Sequence, residues 1–255
     1  NEHNEPNVRA TVKKIYDGMV VKSQNRWPSL KRDFGSINNL LSPIFSAGFY
    51  YKTFMGPKGF WKNVYEPLIR RTAGLGKPPR EFKSKSIHLH HNIDILIVGG
   101  GLAGLLAAKK LAGTDQDVLL VERDNNLGGI LRNSNKIKSI DGQKSADWIE
   151  KTEWLLKSAN NIKILKNTTV TTYNYKDHLI AIEDKTVGTP PDNNKPELVM
   201  HKIRTKHTVL ANGHIERFLS FRNNDLPGVM LAASFEKYIH RYGVVADTSP
   251  VIFTN

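Results

Sequence analysis

The sequence contains no cysteine among its 255 residues. Disulfides, thiolate zinc sites, cysteine-ligated iron–sulfur clusters and cysteine nucleophiles are therefore excluded within this chain. The absence also excludes a CxxC pair for redox exchange with disulfides. It is compatible with a reducing compartment, and we expect a cytoplasmic location.

The sequence also lacks a long hydrophobic run. The longest candidate, near Ile93 to Leu106, is shorter than the roughly 20 apolar residues that a membrane-spanning helix requires. The first ten residues show no apolar signal core, so no secretory targeting is predicted from them. A hydrophobic content of 39% nevertheless suffices for a globular core, and we expect no membrane contact.

Acidic residues are scarce in the first part of the chain. Residues 1–92 hold 16 Lys and Arg against 6 Asp and Glu, whereas residues 93–255 hold 21 against 18. Such an excess favours a negatively charged partner surface, an anionic cofactor or nucleic acid. The regular interleaving of basic and aromatic residues in known nucleic-acid-binding modules is missing, so no nucleic-acid partner is predicted.

Residues 24–79 combine aromatic clusters with closely spaced prolines. Prolines at this density interrupt helices, so the segment is predicted to follow an extended path with short helical turns. It either packs on its own domain as a linker or contacts another subunit or a cofactor. Burial in an assembly is expected for its large aromatics: Trp27, Phe49, Tyr50, Tyr51, Phe54 and Trp61.

Residues 80–92 are polar and include His88, His90 and His91. Three close histidines can indicate zinc, but no carboxylate stands at ligand spacing. We therefore predict a solvated linker, a domain boundary after Asn92 and no metal site.

A strand–turn–helix–strand pattern begins at Ile93. Residues 93–98 are nearly all apolar, as in a strand buried on both faces of a parallel sheet. Three glycines follow, then a helix at residues 102–112 and a second apolar strand at 117–122. Two further helices are predicted, at 146–158 and at 231–242. In the first of them, Trp148, Ile149, Trp154 and Leu155 are expected to lie in the core. Further strands are predicted at 162–166, 168–175, 179–183, 198–207 and 251–254.

The glycines between the first strand and helix fit a dinucleotide fingerprint. Gly99 would permit the tight turn, Gly101 the approach of a pyrophosphate, and Gly104 close packing of helix on strand. Glu122, at the end of the next strand, can accept hydrogen bonds from a ribose diol, which favours NAD or FAD over NADP. Arg123 beside it weakens that preference.

Two later segments extend this candidate site. Gly128-Gly129 follows Glu122 closely, and residues 208–213 (TVLANG) lead into Gly213. Both resemble motifs of two-dinucleotide, glutathione-reductase-like flavoproteins, which implies an α/β Rossmann-like fold. The cofactor-binding candidates are Gly99, Gly100, Gly101, Ala103, Gly104, Glu122, Arg123, Gly129, Val170 and Gly213. His214 and Glu216 could face a ligand, although a packing or surface role is favoured, and no catalytic residue is assigned.

Long, unusually composed segments make the resemblance more specific. Glu5–Gly18, Ser23–Leu30, Ser42–Met55, Tyr65–Gly76 and Asn224–Ala232, together with the IVGGGLAG turn, resemble the alpha subunit of heterotetrameric sarcosine oxidase. The resemblance implies that residues 1–24 end a small β-rich domain and that 25–92 form a linker. Residues 93–255 would form the dinucleotide-binding domain, ending where a second nucleotide-binding fold begins.

The same resemblance implies an activity. The alpha subunit would bind NAD, with FAD as the alternative in this site, FMN between the alpha and beta subunits, and tetrahydrofolate in a carboxy-terminal domain outside this sequence. With beta, gamma and delta subunits it would oxidise sarcosine, a small amine, to glycine, passing the methyl carbon to tetrahydrofolate and electrons to oxygen. Alternatives are a related proline dehydrogenase, hydrogen cyanide synthase or opine oxidase subunit, and a non-catalytic scaffold that holds NAD.

Overall fold

The computed structural model describes residues 14–21, 26–29, 31–41, 56–73, 86–175, 177–188, 196–224, 228–245 and 248–253. The chain divides into two compact units. One comprises residues 1–83 with 188–192, and the other comprises residues 84–187 with 193–255. The sequence-based division into three domains stays a prediction.

The second unit is built on a six-stranded mixed sheet with the order β5-β2-β1-β8-β7-β6. The parallel part joins β5, β2, β1 and β8, and the antiparallel part joins β8, β7 and β6. A short hairpin, β3–β4, stands apart. The strands are β1 (Ser86–Val98), β2 (Val118–Val121), β3 (Ser139–Ile140), β4 (Gln143–Lys144), β5 (Ile162–Leu165), β6 (Thr168–Asn174), β7 (His178–Asp184) and β8 (Leu198–Leu210).

Two hydrophobic clusters cover opposite faces of the parallel strands. All four residues of β2 are buried, and their side chains alternate between the two clusters, as a central parallel strand requires. Helices α2 (Leu102–Leu111) and α3 (Ser145–Ser158) contribute to the first cluster. Residues of β7 and β8, such as Leu179 and Ile203, contribute to the second.

Helix α3 shows why one predicted core residue is wrong. Trp148, Ile149 and Leu156 are buried on one side of the helix. Trp154 is 71% exposed because its position lies on the opposite side of the helical turn.

The first strand begins earlier than the sequence indicates. Residues 86–92, predicted as a solvated linker, form the first half of β1 and pair with residues 198–204 of β8. Polar residues fit in this half of β1 because residues 86–90 are exposed to solvent. The half-buried His91 has a hydrogen-bond partner in His201, at 2.9 Å. Strand β8 likewise continues to Leu210, past the predicted end at His207.

The last predicted strand does not form over residues 251–253, its described part. Val251, Ile252 and Phe253 are exposed. A strand requires backbone hydrogen bonds to a neighbour, and no described strand pairs with these residues.

In the first unit the described elements are short. They are a 3₁₀ helix at Phe34–Leu41 and a π-helical turn at Trp61–Tyr65 that runs into α1 (Glu66–Thr72). This agrees with the predicted short helical turns. Of the expected buried aromatics, Trp27 and Trp61 are exposed, and Phe49, Tyr50, Tyr51 and Phe54 lie outside the described residues. The remaining helix, α4 (Ala232–Tyr242), belongs to the second unit.

Candidate dinucleotide-binding site

The turn between β1 and α2 is so tightly packed that two of its positions exclude side chains. Gly99 has φ +107°, and a Cβ there would lie 2.4 Å from the carbonyl oxygen of Ala211. A Cβ on Gly104 would lie 1.8 Å from the carbonyl oxygen of Gly99. The expected turn and close helix–strand contact are thus present in the geometry.

Gly101 has the opposite environment. A Cβ at this position would meet no atom within 4 Å, so open space lies directly beside the backbone. No side chain caps α2 at Gly101, which leaves the first-turn N–H groups at Leu102 and Ala103 without a side-chain acceptor. These N–H groups and the positive end of the helix dipole suit a pyrophosphate.

The carboxylate of Glu122 is held at the side of this turn. Its Oε2 accepts a hydrogen bond from the Gly100 N–H at 2.6 Å, and its Oε1 accepts one from the Asp124 N–H at 2.7 Å. The carboxylate has further lone pairs, which ribose hydroxyls could use. A Cβ on Gly100 would lie 2.5 Å from Cδ2 of Leu127 and 3.1 Å from Oε2 of Glu122, so a larger residue there would force these two side chains to shift.

The second glycine pair packs against the first turn. The Gly128 N–H donates to the Gly100 carbonyl at 2.8 Å, and a Cβ on Gly129 would lie 3.1 Å from the Gly101 Cα. Gly128 and Gly129 both have positive φ and lead into a 3₁₀ turn at Gly129–Arg132. Gly129 therefore lies beside the glycine turn, and its role in cofactor binding stays a prediction.

Two distant segments return to the same edge of the sheet. The Ala211 N–H donates to the Val98 carbonyl at 2.8 Å, which places the TVLANG segment against Gly99. The Thr168 N–H donates to the Glu122 carbonyl at 2.9 Å, so β6 starts beside the end of β2. Gly213 is exposed with φ +71°, and Val170 packs against the second hydrophobic cluster.

Sequence reasoning missed several charged side chains at this edge. Arg132 donates from Nε to the Leu127 carbonyl at 2.5 Å, and Arg241 of α4 donates from Nη1 to Asp124 Oδ2 at 3.0 Å. Local sequence spacing does not predict the pair of Arg241 and Asp124, because 117 positions separate the two residues. The basic residues in the last turn of α4 were the only available signal.

Glu216, considered as a ligand contact, has a structural role. Its Oε2 accepts a hydrogen bond from the Ala233 N–H at 2.8 Å, which caps the first turn of α4. His214 is exposed. Both residues are therefore on the surface of the described structure, and whether either faces a ligand stays a prediction.

The described residues lack two other features, a metal-binding cluster and a membrane-spanning helix. No group of three or more His, Asp or Glu side chains there could hold a metal ion. None of the described helices combines the length and apolar character needed to cross a membrane.

Comparison with known proteins agrees with this geometry. Residues 97–152 match the family of NAD(P)-binding Rossmann-like domains. Over 257 aligned residues the chain is 40% identical to sarcosine oxidase subunit alpha of Rhizobium meliloti, covering 98% of this chain and 25% of that protein. It is 37% identical to the same subunit of Corynebacterium sp. strain P-1, covering 66% of this chain and 17% of that protein.

Among solved structures, L-proline dehydrogenase from P. horikoshii is 24% identical. The match covers 66% of this chain and 32% of that chain, with a TM-score of 0.47.

The fold, the glycine turn and the family match identify residues 97–152, within the second unit, as matching the NAD(P)-binding Rossmann-like domains. The sequence identity, sustained over almost the whole chain, is more specific. The chain belongs to the family of sarcosine oxidase alpha subunits and spans about a quarter of the length of its Rhizobium meliloti relative.

Proposed function

We propose that this chain is the dinucleotide-binding part of an alpha subunit in a multi-subunit flavoenzyme that oxidatively demethylates sarcosine to glycine. The proposal includes beta, gamma and delta partner subunits, FMN at the contact with the beta subunit, and tetrahydrofolate as acceptor of the methyl carbon. Electrons would pass to oxygen, and the location would be cytoplasmic. The family membership supports these assignments.

The observation that carries the cofactor proposal is the open space beside Gly101. The uncapped first-turn N–H groups of α2 follow Gly101 directly, and the carboxylate of Glu122 is held by the N–H of Gly100, the preceding residue. A pyrophosphate and the adjacent ribose of NAD or FAD require this combination of a close backbone approach and a diol acceptor. The nicotinamide or flavin would supply the electron-transfer chemistry.

The chain's own residues would bind and orient the cofactor. Gly99, Gly100 and Gly104 keep the turn compact, Ala103 presents a first-turn N–H, and Gly129 supports the turn from the other side. Arg123, Val170 and Gly213 would lie around the adenosine half. The residues that oxidise the amine would belong to another subunit or to a part of the protein outside this sequence.

The test is the affinity of the purified full chain for FAD and NAD, measured by titration calorimetry. Gly101→Val should weaken binding of the cofactor more than about tenfold, because the new side chain fills the space of the pyrophosphate. Gly56→Val is a matched control, since Gly56 also has no atom within 4 Å of an added Cβ. Full affinity in the Gly101 variant would remove the proposed site.

A second measurement addresses the substrate. The assembled enzyme should oxidise sarcosine with release of glycine and with tetrahydrofolate-dependent capture of the methyl carbon. Oxidation of proline or an opine instead would favour one of the related dehydrogenase complexes. Cofactor binding without any turnover in the complete assembly would favour a scaffold.

A further inference from the structure

Helix α4 reaches the candidate site although it lies far along the chain from the glycine turn. Arg241, in its last turn, forms an ion pair with Asp124 at 3.0 Å, and both side chains are partly buried. The same Nη1 lies 3.5 Å from Oδ1 of Asn133, which directly follows the Gly129–Arg132 turn. One guanidinium thus connects α4 with both loops that flank the glycine turn.

The ion pair acts on the residue that would contact ribose. Asp124 donates its backbone N–H to Glu122 Oε1, and its carbonyl accepts the Asn167 N–H at 3.2 Å. Fixing the side chain of Asp124 therefore restrains the N–H that orients Glu122. Arg241 does not need to touch a ligand to affect how the ribose is held.

Lys237 lies one helical turn before Arg241 on the same face of α4. Burial lowers its pKa, and the positive charges of Arg241 and Arg123 lower it further, while Asp124 acts in the opposite direction. Asp124 is already engaged by Arg241, and no described carboxylate forms an ion pair with Lys237. Lys237 is thus a partly buried ammonium beside the Arg241–Asp124 pair, and a partly desolvated ammonium without an ion-pair partner is a favourable place for an anion.

We propose that Lys237 binds a phosphate of the dinucleotide's adenosine half, and that Arg241 is a positioning residue for Glu122 through Asp124. The proposal rests on the proposed function, because it deepens the same site. It extends that site beyond residues 97–152, the span of the family match, to a helix 80 or more residues further on. The phosphate is either the pyrophosphate or a 2′-phosphate on the ribose.

The experiment compares ADP, 2′-AMP and adenosine as ligands of the full chain by titration calorimetry. Lys237→Gln should weaken binding of a phosphate-bearing ligand about tenfold and leave adenosine unchanged, because only the charged contact is lost. A selective loss for ADP identifies the pyrophosphate, and one for 2′-AMP identifies the ribose phosphate. Lys151→Gln, an exposed lysine on α3, is the control.

Equal affinities of wild type and Lys237→Gln for both phosphate ligands would overturn the role of Lys237. An equal loss for adenosine would also overturn it, since the effect would not depend on phosphate. If the wild-type chain binds FAD and NAD, the proposed function survives either result. If it binds no dinucleotide, both proposals fail.

The positioning role of Arg241 has its own readout. Arg241→Gln should reduce the affinity advantage of adenosine over adenine, because Glu122 would no longer be held for the ribose. A charge exchange, Asp124→Arg with Arg241→Asp, should restore part of that advantage. A lower melting temperature with the advantage intact would mean that Arg241 serves stability alone.

Discussion

Among the described residues, only the second unit contains buried large apolar side chains. In the second unit, Trp148 and the four residues of β2 are buried in the two hydrophobic clusters that cover the faces of the sheet. In the first unit, Trp27 is 65% exposed and the turn Trp61–Tyr65 contains no buried residue. Apolar content alone therefore does not build a core.

The difference follows from periodicity. The second unit has strands with side chains on two faces and helices with one apolar side, so β2, α2 and α3 each pack against an opposing surface. In the first unit, Pro28 and Pro57 lie outside the described helices, which are short, and Pro67 occupies the first turn of α1, where proline is tolerated. The exposed aromatic surface of this unit is typical of a segment that packs against another molecule.

The largest effect should come from removing the buried tryptophan of α3. Trp148→Ala is expected to lower the free energy of unfolding by about 3–5 kcal/mol, because it leaves a cavity in the first hydrophobic cluster. Urea unfolding of the chain measures this change. Trp154→Ala on the same helix is the control and should change stability by less than about 0.5 kcal/mol. Similar losses in both variants would contradict the burial pattern.

The next largest effect concerns close packing at the glycine turn. Gly104→Ala should cost about 1–3 kcal/mol or more, because the new Cβ would overlap the Gly99 carbonyl and force α2 away from β1. Gly56→Ala in the first unit, where the space is open, should have little effect on unfolding. A Gly104 variant as stable as wild type would refute the tight contact.

The glycine turn and helix α3 also show which parts of the fold can be predicted from the sequence. The βαβ unit follows from local signals, namely an apolar run, three glycines and a helical pattern that ends in lysines. Residues 86–92 gave no such signal, since their place in the sheet depends on pairing with β8, more than 100 residues away. The same limit applies to Trp154, whose side of the helix depends on which face meets the sheet.

The candidate site likewise contains residues that the sequence predicts and residues that it does not. Gly99, Gly101, Gly104 and Glu122 were predictable because one turn and one strand end place them together. Arg241 was not, because only the tertiary fold brings α4 to Asp124. Local spacing thus predicts the turn, whereas the charges around it depend on long-range packing.

A smaller effect should appear on acidification of the second unit. His91 Nε2 lies 2.9 Å from His201 Nδ1, and His201 Nε2 lies 3.0 Å from Glu183 Oε2. Burial lowers the pKa of His91 below 6.5, and the nearby Lys163, His201 and His90 lower it further. With His91 neutral, its N–H can donate to His201, which in turn can donate to Glu183.

The folded state therefore binds fewer protons than the unfolded state below about pH 6.5, and its stability should fall as the pH drops. Because His91 is only half-buried, the contribution should be below about 1 kcal/mol. Unfolding curves of wild type and His91→Gln between pH 7.5 and 5 measure it. The variant should lose less stability on acidification, and an identical slope would show that His91 does not contribute.

The smallest effect on the chain by itself is expected at the exposed aromatics of the first unit. Trp27→Ala should change the free energy of unfolding by less than about 0.5–1 kcal/mol, because the residue is largely solvated and contacts mainly the Phe34 ring at a centroid distance of 5.6 Å. Its effect should instead appear on assembly with partner subunits, where the exposed surface would be covered. Hydrogen exchange across residues 26–73, compared between the chain and the complete assembly, distinguishes the alternatives. Greater protection in the assembly, reduced by Trp27→Ala, supports a subunit contact, whereas equal protection in both would make this segment an intrachain linker.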